Sequence, residues 1–119
     1  MTDNWNTPIW LKDVFGNFFD PCPKNPTQDG LAMEWGEVFF MNPPYSNPLP
    51  WVQKAIEETK KGKSGVLLLK VDPSTRWYKM LVENDAHFTY FNERLHYSES
   101  KAANFPSMLV FLEKKGSSK

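Results

Sequence analysis

A chain of 119 residues has room for one domain with one modest core, and an aromatic content of 15%, with five Trp and nine Phe, excludes a disordered chain. Lys plus Arg and Asp plus Glu both number 14, so the basic excess that marks a dedicated nucleic-acid clamp is absent. Cys22 is the single cysteine, which excludes an intrachain disulfide and a four-cysteine zinc site, and His87 and His96 are too isolated to suggest a metal.

In chain order, Thr7-Pro8 reads as an N-cap with proline at the first helical position. Trp10, Leu11, Val14 and Phe15 then recur at helical spacing until Gly16. Phe18-Phe19-Asp20 is a short strand candidate, broken by Pro21 and Pro23. Residues 24–36 look like a loop around one apolar pair, Leu31 and Trp35. Residues 37–41 read as a strand buried on both faces, running straight into Asn42-Pro43-Pro44-Tyr45. Trp51, Val52, Ala55, Ile56 and Thr59 trace one face of a helix that ends at Gly62. Residues 66–71 form a third strand, and Asp72-Pro73 caps a helix with Trp77, Tyr78, Leu81 and Val82 on its apolar face. Residues 87–91, 95–97 and 108–112 supply the remaining strands.

This alternation predicts an α/β fold with a mostly parallel sheet. The last two strands, separated by the polar residues 98–104, fit an antiparallel C-terminal hairpin at the sheet edge. Residues 1–113 read as one domain and 114–119 as a polar tail. The start shows no basic segment followed by an apolar stretch, and the longest apolar run, residues 66–69, is too short to cross a bilayer, so a cytosolic location is expected. About three helices cannot cover both faces of a doubly wound sheet, which leads to the expectation of a homodimer. Ligands of such sheets bind outside the carboxyl ends of the strands, where Asp20 and Asn42 lie.

The segment Asn42-Pro43-Pro44-Tyr45 carries the most chemistry. Each proline fixes its own φ, holds the residue before it extended and offers no N–H. The loop therefore presents acceptors, the Asn42 side-chain oxygen and the Pro43 carbonyl. Two converging acceptors suit an amino group with two hydrogens, and the Tyr45 ring could stack on a planar base. Three readings fit such a loop: a methyltransferase acting on adenine in DNA, the same chemistry on RNA adenine or a glutamine amide, and a non-enzymatic nucleic-acid-binding module.

The ordered set of motifs resembles the phage-type DNA adenine-N6 methyltransferase family, from about residue 5 to residue 112. Trp5-Asn6-Thr7-Pro8 resembles its opening motif, Phe19-Asp20-Pro21-Cys22 its acidic cofactor motif, and Asn42-Pro43-Pro44-Tyr45-Ser46 its catalytic loop. Gln28-Asp29-Gly30-Leu31, Ser74-Thr75-Arg76-Trp77, Arg94-Leu95 and Phe105-Pro106-Ser107 fall in the family's order. Where such enzymes carry a glycine-rich loop, this chain has Pro23-Lys24-Asn25-Pro26.

The resemblance implies a reduced Rossmann-like sheet that binds S-adenosylmethionine. It implies that Asn42, Pro43, Pro44 and Tyr45 are catalytic, and that Thr7, Pro8, Asp20, Cys22, Asp29 and Leu31 contact the cofactor. Arg76, Arg94 and Lys101 are the candidate DNA contacts, with Lys54, Lys60, Lys61 and Lys63 as a further basic patch.

Overall fold

The computed structural model describes residues 7–23, 29–95 and 105–114. Its elements are α1 (Ile9–Phe15), β1 (Val38–Met41), α2 (Leu49–Lys60), β2 (Ser64–Lys70), α3 (Arg76–Glu83), β3 (His87–Tyr90) and β4 (Ser107–Leu112). The strands form one sheet in the order β1-β2-β4-β3.

β1 and β2 are parallel, pairing Phe39 with Gly65 and Met41 with Leu67, and α2 is the crossover between them. β4 pairs antiparallel with both β2 and β3. The described sheet is therefore mixed, not mostly parallel. Among the described residues the last strand, β4, is inserted into the middle, and β3, not a terminal hairpin, forms the edge. Leu95 lies outside any strand, and residues 96–97 of the expected strand lie outside the described residues. The candidate strand at 18–20 is reduced to one parallel bridge, Phe19 to Phe39, made by Phe19 N–H to Val38 O and Phe40 N–H to Phe19 O, both 2.9 Å.

The period-2 alternation of β2 divides the core. Leu67 and Leu69 face α2 and α3, packing with Val52, Ile56, Trp77 and Leu81. Val66 and Leu68 face the other way, against Leu11 of α1, Phe40 and Leu95. A glycine at position 65 lets the Phe39 ring lie directly against the β2 backbone. Gly62, at φ 98°, takes the left-handed turn after α2 that other residues avoid.

Two caps differ from expectation. Pro8, not Thr7, caps α1, with no side-chain bond. Thr75, not Asp72, caps α3, accepting the Tyr78 N–H, while the Asp72 carbonyl accepts the Thr75 hydroxyl. The α1 face also differs: Leu11 is buried, but Ile9, Trp10 and Val14 are 69%, 51% and 62% exposed. Among the described residues no helix is long and apolar enough to cross a membrane.

Candidate active site

β1 delivers Asn42 to the carboxyl end of the sheet. Its side-chain Nδ2 donates to Thr7 Oγ1 at 3.1 Å, and its Oδ1 is enclosed by protein. The Thr7 hydroxyl thus serves the loop 35 residues away. Pro43 is buried, and the Asn47 N–H donates to the Pro44 carbonyl at 3.3 Å, closing the turn into α2. The half-buried Tyr45 ring meets Phe105 edge-on, 5.2 Å between centroids.

Two clefts are lined by residues adjoining this loop. One, of about 200 Å³, is lined by Thr7, Lys12, Phe15, Phe18, Asp20 and Phe40. The other, also about 200 Å³, is lined by Tyr45, Ser46, Lys70, Asp72, Thr75 and Trp77. Asn42 joins the two: its amide is bonded to the first, and Tyr45, three residues on, lines the second.

In the first cleft, burial pushes the Asp20 carboxyl above its ordinary value, against the lowering effects of the Cys22 N–H, bonded at 2.9 Å, and of Lys12. Burial, with the charge of Asp20, pushes the Cys22 thiol up to about 12. Cys22 does not line this cleft but packs against the core cluster of Trp35 and Phe39, and at neutral pH it is protonated and not a nucleophile.

The Asp29–Leu31 turn closes on itself, with the Leu31 N–H donating to Asp29 Oδ1 at 3.0 Å. A Cβ on Gly30 would stand 2.0 Å from the Pro21 carbonyl oxygen and 2.8 Å from the Trp51 ring. Only glycine permits that approach, and it brings the turn against the Asp20–Cys22 segment.

The turn is tied down by Trp35. Its indole N–H donates to the Gly30 carbonyl at 2.7 Å, its backbone N–H to Glu58 Oε1 at 3.3 Å, and its carbonyl accepts from Lys63 Nζ at 2.6 Å. Glu58 is fully buried and ion-paired with Lys54, Lys61 and Lys63. Burial alone would raise its pKa, but hydrogen bonds from Lys63, Lys54, Lys61 and the Trp35 N–H outweigh burial and hold it at about 2.

Of the candidate DNA contacts, Arg76 is exposed at the first position of α3, next to Thr75 at the second cleft, and Arg94 is exposed beside Leu95. Lys101 lies outside the described residues. Of the further basic patch, Lys54, Lys61 and Lys63 are engaged by Glu58 and form an internal network rather than a phosphate-binding surface. Lys12, Lys70 and Asp72 line the clefts without having been expected to. For Asp72, the signal is a carboxylate directly after a buried strand's carboxyl end, which the reading of it as a helix cap obscured. Among the described residues no cluster of His, Cys, Asp or Glu could hold a metal ion.

The family model described as DNA N-6-adenine-methyltransferase (Dam) matches residues 1–118. The chain is similar to a DNA N-6-adenine-methyltransferase of Haemophilus phage HP1, 37% identical over 138 residues, which cover 95% of this chain and 80% of the relative. It is also similar to one of Escherichia phage T1, 35% identical over 112 residues, covering 80% of this chain and 47% of that relative. This chain belongs to the DNA N-6-adenine-methyltransferase family.

Proposed function

We propose that this adenine-specific DNA methyltransferase transfers the methyl group of S-adenosylmethionine directly to the amino nitrogen of an adenine extruded from DNA, with Asn42 and Pro43 as acceptors that hold that amino group. The observation that carries this reading is the position of Asn42, at the end of a buried strand, bonded to Thr7 of one cleft and three residues before Tyr45 of the other. One cleft serves the methyl donor and the other the base. The same reading takes the sheet as a reduced Rossmann-like one, with α2 crossing over between parallel β1 and β2 and the site outside their carboxyl ends.

The first cleft fits the cofactor's amino-acid end chemically. Asp20 offers a carboxylate to its ammonium group and Lys12 a cation to its carboxylate. Thr7 and Pro8 would form the walls, Cys22 would hold Asp20 through its N–H, and Asp29 and Leu31 would meet the adenine end. Once bound, S-adenosylmethionine supplies an activated methyl group.

The protein's own work is then geometric and electrostatic. The amino nitrogen of adenine is a poor nucleophile because its lone pair is delocalised into the ring. Two hydrogen bonds, to the Pro43 carbonyl and to the Asn42 amide oxygen once that side chain turns from its Thr7 contact to bring the enclosed oxygen to the base, draw it toward a tetrahedral shape and localise that pair. Bound S-adenosylmethionine would supply the methyl group and be left as the neutral thioether, while Asn42 and Pro43 would hold the nitrogen until its surplus proton passes to water. Tyr45 stacks on the base, while Arg76 and Arg94 contact backbone phosphates.

Methyl transfer from labelled cofactor onto DNA, RNA and protein, run in parallel, tests the reading. DNA alone is expected to be labelled, at adenine. Asn42→Ala is expected to lower transfer by at least about 100-fold while sparing cofactor binding. Near wild-type transfer by that variant would refute the mechanism.

We further propose a homodimer, docked through the exposed Ile9, Trp10 and Val14 of α1. Sedimentation equilibrium is expected to give twice the chain mass, and a monomer mass with and without DNA would refute it.

A further inference from the structure

The buried network at Glu58 has no part in the chemistry just described, and a buried carboxylate with its lysines is costly to desolvate. Its placement explains its presence. Trp35 is 2% exposed and lies outside any strand, so its N–H and C=O have no ladder partner. Glu58 accepts the first and Lys63 donates to the second, and Lys63 also pairs with Glu58. The indole ring is thereby fixed, edge-on to Phe39 with 4.9 Å between centroids. Its N–H is left aimed at the Gly30 carbonyl. That bond is what presses the Asp29–Leu31 turn onto the Pro21 backbone.

We infer that Glu58, Lys63 and Trp35 are positioning residues for the cofactor, holding the Asp29–Leu31 turn in place from behind without touching the ligand. The inference rests on the reading of Asp29 and Leu31 as residues that meet the adenine end of S-adenosylmethionine. The chain has no described strand on that side of Phe19 to support the turn, so its position depends on side-chain bonds. Beyond its own internal bonds and its packing on Pro21 and Trp51, the turn is reached by the indole N–H, and it is sensitive to the loss of that donor.

Trp35→Phe removes the donor and keeps a ring against Phe39. Glu58→Gln keeps the shape of the side chain and removes its charge. Calorimetry with S-adenosylmethionine and with S-adenosylhomocysteine is expected to show Trp35→Phe binding both about fivefold more weakly, with Glu58→Gln changing in the same direction. The rate at saturating cofactor is expected to stay within about twofold of wild type. Leu81→Ala, in the core under α3 and away from the turn, serves as a control that lowers the melting temperature without changing the dissociation constant. Wild-type affinity in Trp35→Phe would overturn the inference, and so would an equal loss in Leu81→Ala. A wild-type chain that binds neither ligand at millimolar concentration would overturn the cofactor reading itself, and this inference with it.

Discussion

Gly65 sits opposite Phe39 in the parallel pair that delivers Asn42, and its replacement by alanine tests whether that pair is as tight as the structure shows. A Cβ there would stand 2.1 Å from Phe39 Cε1, 2.3 Å from Cδ1 and 2.5 Å from Cζ. Carbon atoms settle about 3.5–4.0 Å apart, so the overlap is about 1–2 Å against three atoms of one ring. Phe39 is fully buried and edge-on to Trp35, so its ring has no open direction to move in. Either the ring leaves its rotamer or β1 separates from β2, at a cost of about 3 kcal/mol. At about 2 cal/mol/K per residue of unfolding entropy, that lowers the melting temperature of a chain this size by roughly 12 °C. A displacement of about 1 Å carried three residues along β1 to Asn42 is expected to lower the methylation rate about 100-fold at a temperature where the variant is still folded. Adding Phe39→Leu, which removes the ring, should recover part of both losses. A melting temperature within about 2 °C of wild type, or a double variant no better than Gly65→Ala alone, would show that the contact is not what holds the loop.

Glu58→Gln is expected to flatten the acid side of the stability profile. A carboxyl at about 2 in the folded chain and 4.5 when free stabilises the fold fully above pH 4.5, and this is lost as pH falls through about 2. The difference between wild type and variant at pH 7 should therefore shrink in urea titrations at pH 3; a difference constant with pH would refute the assignment. The Cys22 thiol, pushed up to about 12, should react with iodoacetamide at pH 8 at under a hundredth of the rate of a free cysteine and recover that rate in urea, as followed by mass spectrometry.

What could be read from the sequence was local. The apolar runs of β1 and β2, the helix between them and the Asn42–Tyr45 loop are each set by neighbours within a few residues. The order of the strands was not legible, because a run such as Met108–Val110 looks the same at an edge or in the middle of a sheet. A register to β2, more than 30 positions earlier, leaves no mark on periodicity. Helical spacing identified α1 but not which side faced the core, since Leu11 alone among its apolar residues is fully buried. The clefts were legible only in part. Thr7, Asp20 and Tyr45 stand out by type and context, whereas the meeting of Gly30 with Pro21 depends on a close backbone approach that no local pattern encodes. Glu58 is one glutamate of a polar run, and nothing in its neighbours shows that it, and not Glu57, is buried.

The insertion of β4 between β2 and β3 constrains the order in which the molecule can be made. While residues 107–112 are still inside a ribosome, β3 has no described strand beside it and one edge of the leucine-rich β2 is bare. An emerging chain can form the β1–α2–β2 unit early, yet that unit carries an open, sticky edge until residues 107–112 are released. Completion then requires β4 to enter between two segments already in place, a long-range closure that is slow compared with helix formation. Polysomes translating this message would hold many such half-sheets side by side.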